Sequence, residues 1–150
     1  MLRSDQLKPL SREHHVALEL ALRLRRATVA DAGAVRDAAL AFWDDEGREH
    51  FRLEEELLLP AFARHAGDDD PDIVRILVEH VGIRRRIADL QVAPGDAAAL
   101  NALGAALGDH VRHEERVVFP RVEDALSPAE LDALGTALAA AGNAHRPPRA

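Results

Sequence analysis

The chain has 150 residues, of which 47% are apolar and only 3% aromatic, with no cysteine, no tyrosine and a formal net charge of -7. These values imply a single domain with a core of Leu, Ala, Val and Ile, which suits helices better than a β-sandwich. The acidic balance argues against a nucleic-acid partner, and the missing cysteine excludes disulfides, thiolate zinc sites and cysteine-ligated iron–sulfur clusters.

The N-terminal stretch "MLRSDQLKPLSREHH" has no apolar h-region, and no run approaches the roughly 20 apolar residues of a membrane span. A cytoplasmic protein without a membrane partner is therefore the expectation. Turn signals then cut a helical periodicity into five segments. The first helix is expected from near Ser11 to about Thr28. "ADAG" around Asp31 opens a long second helix through Trp43 and His50 to about His65, which Pro60 should bend or end locally. In "GDDDP", Asp70 and Pro71 predict the N-cap and first residue of a third helix reaching about Leu90. "VAPGD" turns the chain, and Asp96 caps a fourth helix running towards Asp124. "SPAE" at 127–130 reads as a capping box that starts a short fifth helix to about Ala141. Gly142 and "NAHRPPRA" read as a stop and a frayed tail. The predicted class is all-α: an up-down-up-down four-helix bundle with a short fifth C-terminal helix, one domain over 1–142 and a flexible tail over 143–150. The basic clusters at Arg23, Arg25 and Arg26 and at Arg84 to Arg86 read as solvated faces.

One pattern occurs twice. "HFRLEEELLLP" begins at His50 and "HVRHEERVVFP" at His110, sharing His, Arg, two Glu and Pro at matching offsets. Residues four apart share a helix face, so His50 with Glu54, and His110 with Glu114, point the same way. The first stripe also holds Ala39, Phe42, Trp43, Leu53, Leu57 and Ala61; the second holds Leu103, Ala106, Val117 and Val118. Each His–Glu pair therefore faces the core. Burying two carboxylates together costs several kcal/mol unless a cation lies between them, and Arg52 and Arg112 point away. A metal ion meets that need economically.

"LSREH" ends at His14 and "ILVEH" at His80, each continued by an apolar stripe, so four successive helices each aim one His inward. His15 competes with His14, because Leu18 and Leu22 come after it at helical spacing; Leu7 and Leu10 favour His14. At about 1.5 Å rise per residue, the four levels match across the turns, least well between the second and third helices unless the second ends soon after Pro60. Six ligands suit two ions bridged by carboxylates, with an oxo or hydroxo bridge and one open position on each. Imidazole and carboxylate without sulfur suit iron or manganese, with zinc as the further alternative.

At these residues, "SREH", "HFRLE", "VEH" and "HVRHE", the chain resembles the hemerythrin-like HHE cation-binding family over about Ser11 to Asp124. The resemblance implies two iron ions (Fe2+/Fe3+) in a four-helix bundle, ligands His14, His50, Glu54, His80, His110 and Glu114, and a small ligand such as dioxygen, nitric oxide or peroxide. Arg84 stands where the family's oxygen carriers have a second third-helix His, and Glu114 lies four, not five, residues after His110. The ligand set is closer to the four-His, two-Glu sites of cluster-repair di-iron proteins, whose cysteine-bearing extra domain is absent here. Ferritin-like bundles need Glu three residues before His, but those positions hold Gly47 and Leu107. His113 is expected at the edge of the site, His65 and His145 in solvent, and Glu55 and Glu115 in solvent or orienting a ligand imidazole. The alternative of another class is a bundle in which the same residues hold zinc, or nothing, for stability alone.

Overall fold

The computed structural model describes residues 2–145, with side chains as far as residue 142; every regular element among them is helical. α1 is Lys8–Arg25 and begins earlier than the turn signals suggest, because Pro9 sits in the first turn, where a missing N–H is harmless. Thr28 then donates its N–H to Asp31 at 2.7 Å, turning the chain into the next helix.

α2 runs unbroken over 32–66, so Pro60 does not end it. Two widened π turns, Trp43–Gly47 and Glu54–Leu58, are built into it. α3 is Pro71–Val92. α4 covers 97–125 and contains a third π turn, Glu114–Val118. In the second and third of these, the N–H of Leu59 reaches the Glu54 carbonyl and that of Phe119 reaches Glu114. A proline comes directly after each of these donors, Pro60 and Pro120. Proline crowds the carbonyl four residues back, and a turn widened by one residue relieves that contact without stopping the helix. The extra residue also rotates the succeeding turns about the helix axis. Leu58 and Val118 are therefore fully buried, whereas Val117, expected inside, is 38% exposed. At the first π turn, a Cβ on Gly47 would lie 2.9 Å from Phe42 and 3.0 Å from Trp43, so only glycine lets both rings fold over it.

The caps behave as the residue types demand. Asp70 accepts from the Asp72 N–H at 3.0 Å and Asp96 from Ala99 at 2.8 Å. Ser127 and Glu130 close both halves of a capping box, at 3.2 and 2.7 Å, and open α5, Pro128–His145. α5 runs through Gly142, which was expected to stop it near Ala141; a Cβ there would meet nothing, so no close contact forces a break. The rest of the expected tail, 146–150, lies outside the described residues.

Sequential helices pack on one another and α1 closes the bundle against α4, its most extensive neighbour. Gly104 makes that approach possible: a Cβ would come within 2.7 Å of Ala21 O and Arg25 N. α5 lies outside the four, anchored by Leu134 and Leu138. The apolar core forms two clusters. One gathers Ala21, Leu24, Trp43, Ile83, Leu100 and Leu103; the other gathers Leu10, Leu58, Phe62, Ile76, Phe119 and Val122. Each fully buried Leu or Phe contributes about 1.5–3 kcal/mol. Six buried ionisable residues, four His and two Glu, lie along the helices between the two clusters.

Candidate metal centre

Each helix of the bundle delivers its inward His. His14 on α1 is 2% exposed, His50 on α2 6%, His80 on α3 and His110 on α4 both 0%. Its neighbour His15 faces solvent. Glu54 and Glu114 are the first residues of their π turns, and both are essentially inaccessible.

These six side chains meet. His14 Nε2 lies 2.9 Å from Glu114 Oε2 and 3.5 Å from Glu54 Oε1, and His50 Nε2 lies 2.7 Å from the same Glu54 oxygen. Across the layer, His80 Nε2 is 3.1 Å from Glu54 Oε2, and His110 Nε2 is 3.1 Å from Glu114 Oε1. Two compact sets result, His14–His50–Glu54–Glu114 and Glu54–His80–His110–Glu114, with one donor atom per residue all within 4.8 Å of one another. Each glutamate turns one oxygen to each set. The His80 position is reached although α2 runs on past Pro60 to Ala66.

These short approaches lack hydrogen-bond geometry. None of the four carboxylate oxygens has a hydrogen-bond partner. The facing Nε2 atoms stand 3.0 Å apart in His14 and His50, and 3.2 Å apart in His80 and His110. Lone pairs of nitrogen and oxygen thus converge on common points, and an orphaned buried carboxylate is among the costliest groups a fold can carry. Protons are one remedy. Burial disfavours the imidazolium, but Glu54 and Glu13 overcome it and raise His50 to about 9, while Glu114 and Glu79 raise His110 to about 10. His14 and His80 are raised for the same reason. Burial would likewise lift the Glu54 and Glu114 carboxyls, yet the facing histidines hold both far below the usual carboxylate range. A dication on the same donors would replace those protons.

Behind every imidazole stands a second carboxylate, on a neighbouring helix. His14 Nδ1 lies 2.6 Å from Glu115, and His50 Nδ1 lies 2.5 Å from Glu13. His80 and His110 face Glu55 and Glu79 at a longer 3.8 Å. Arginines hold three of these carboxylates: Arg3 on Glu115, Arg84 on Glu55 at 2.6 Å and Arg75 on Glu79 at 3.0 Å. At His14 and His50 this carboxylate fixes the proton on Nδ1 and leaves Nε2 as a donor atom pointing inward, whereas Nδ1 of His80 and of His110 has no hydrogen-bond partner. Glu55 and Glu115 are therefore not simply solvated. Glu13 and Glu79 had a signal in the sequence, since each immediately precedes an inward His, but each serves the His of the adjacent helix. His113 stays out of the layer, with Nε2 3.0 Å from Asp72, and the exposed His65 pairs with Glu130. The side chain of His145 lies outside the described residues.

Aromatic rings brace the layer. Phe51 stacks on His80 at 3.8 Å, and Phe119 on His14 at 5.1 Å. Arg84 lies over Trp43 and Phe51, at 5.4 and 5.7 Å, while it binds Glu55. A cavity of about 10 Å³, room for roughly one water, adjoins the layer between His14, His50, His110 and Glu114. Ala17, Phe51, Leu107 and Val111 wall it. An outer groove of about 520 Å³ beside α5 also reaches His50.

Two histidine–glutamate sets sharing both carboxylates inside a four-helix bundle could each hold a cation, and residues 6–134 match the hemerythrin HHE cation-binding domain. The chain belongs to that family. The HHE match covers all six inward residues and the start of α5. Neither the curated proteins nor the solved structures contain a significant match. No helix among the described residues is long and apolar enough to cross a membrane.

Proposed function

We propose that this HHE-domain protein holds a carboxylate-bridged pair of iron ions and binds a small diatomic or peroxidic ligand beside it, as a sensor, scavenger or store. The observation that carries this reading is the set of four buried carboxylate oxygens without hydrogen bonds, facing four imidazole Nε2 atoms. In this reading His14 and His50 would hold one ion together with Glu54 and Glu114, and His80 and His110 would hold the other with the same two glutamates. Imidazole and carboxylate without thiolate suit iron, which supplies redox chemistry and an open coordination position when bound.

The chain's own residues do the rest. Glu13 and Glu115 orient the imidazoles of His50 and His14. Phe51, Leu107 and Val111 keep the adjoining space small and dry enough for a diatomic while excluding bulk water.

Anaerobic reduction, then separate exposure to dioxygen and to nitric oxide with the visible spectrum recorded, tests the reading. A new absorption band with at least one gas is expected, and none in Glu54→Ala. A zinc-loaded protein that is silent to both gases would favour the purely structural alternative and contradict the proposal.

A further inference from the structure

The face of α3 that looks away from the bundle is apolar. Val74, Val78 and Val81 lie on one stripe opposite the buried Ile76, His80, Ile83 and Ile87, and are 46%, 65% and 67% exposed; Leu77 beside them is 40% exposed. Valine gains nothing there as a helix former, since β-branching lowers helix propensity, and a contiguous apolar stripe in water gains nothing from burial. A partner surface supplies the missing reason.

The charges at the two ends of the stripe say which partner. Asp68 and Asp69 precede the helix and are exposed; Arg85 and Arg86 lie just beyond the stripe. Among the described residues Asp68, Asp69 and Arg86 form no ion pair, and Arg85 has only Asp89, at 3.2 Å. Val78 lies midway, nine residues after Asp69 and eight before Arg86. Gly82, at the edge of the stripe, leaves open space for a close approach. Two α3 helices packed antiparallel about Val78 therefore set the acidic end of each against the basic segment of the other, and the patch is complementary to itself, as a two-fold interface requires. We infer that the outer face of α3 is the self-association surface of a symmetric homodimer.

Sedimentation velocity of the full chain over a concentration series tests this. The mass should rise from 16.3 kDa towards twice that value with concentration. Val81→Lys should hold the chain at the lower mass with its helical circular dichroism intact, since lysine suits an exposed helix position. Arg85→Glu with Arg86→Glu should weaken association by about tenfold or more, and adding Asp68→Lys with Asp69→Lys should restore it. A parent chain that stays monomeric throughout overturns the inference. So does a dimer that survives Val81→Lys, or a charge-swapped variant that fails to recover.

Discussion

Each inward imidazole has two nitrogens with separate work. Nε2 of all four points at the shared glutamates, while Nδ1 faces a carboxylate of a neighbouring helix, closely in His14 and His50 and more distantly in His80 and His110. Removing one such carboxylate frees the imidazole to rotate and lowers its basicity. Glu115→Ala or Glu13→Ala should therefore weaken metal binding by roughly 10–100-fold, measured by chelator competition, with little change in helix content. The close contacts of Glu115 and Glu13 predict a larger loss there than in Glu55→Ala or Glu79→Ala. The burial of the inward histidines was legible in the sequence because 3.6-residue periodicity selects a face, and it favoured His14, which is buried, over His15, which is exposed. The supporting carboxylates were less legible. Glu13 and Glu79 reach across to the next helix, and no spacing along one helix announces a contact between two.

At the level of the helices, the same limit appears in the π turns. Glu54 and Glu114 open widened turns that end just before Pro60 and Pro120. A uniform 100° step cannot anticipate the added residue, which is why Val117 was expected to be buried; Pro60, expected to bend or end α2, is accommodated by the widened turn before it. The α1–α4 contact rests on Gly104, whose Cβ position is occupied by backbone atoms of α1 rather than a yielding side chain. Gly104→Leu should cost stability towards the upper end of roughly 1–3 kcal/mol in thermal unfolding, by forcing His14 and His110 apart. The start of α3 is fixed by Asp70, which caps the helix and binds Arg121 on α4 at 2.8 Å. The Arg121 guanidinium holds the Asp70 carboxyl below its ordinary 3.8. A carboxyl depressed in the folded state stabilises above its unfolded value and loses that contribution as pH falls through the folded one. Asparagine keeps the cap but not the ion pair. Parent and Asp70→Asn should thus differ in denaturant midpoint above about pH 4, with the difference closing in stronger acid.

Over the whole molecule, two helix pairs repeat one plan. α1 and α3 each bring a Glu-His pair, α2 and α4 each bring His and two consecutive Glu, and the shared carboxylates tie the halves at a single layer between two apolar clusters. The four-helix class was readable from the sequence, because short turns force neighbouring helices to run antiparallel. The outer face of α3 was not readable as a surface, since its valines look like core residues until the opposite face is seen to be filled. The proposed function requires metal ions, rather than protons, between Glu54 and Glu114. Metal content of protein purified from iron-replete cells tests that most directly, measured by elemental analysis on the parent and on Glu54→Ala. About two irons per parent chain are expected, with a loss of at least one in the variant. Protein without bound metal, or equal metal content in both, would contradict the proposal.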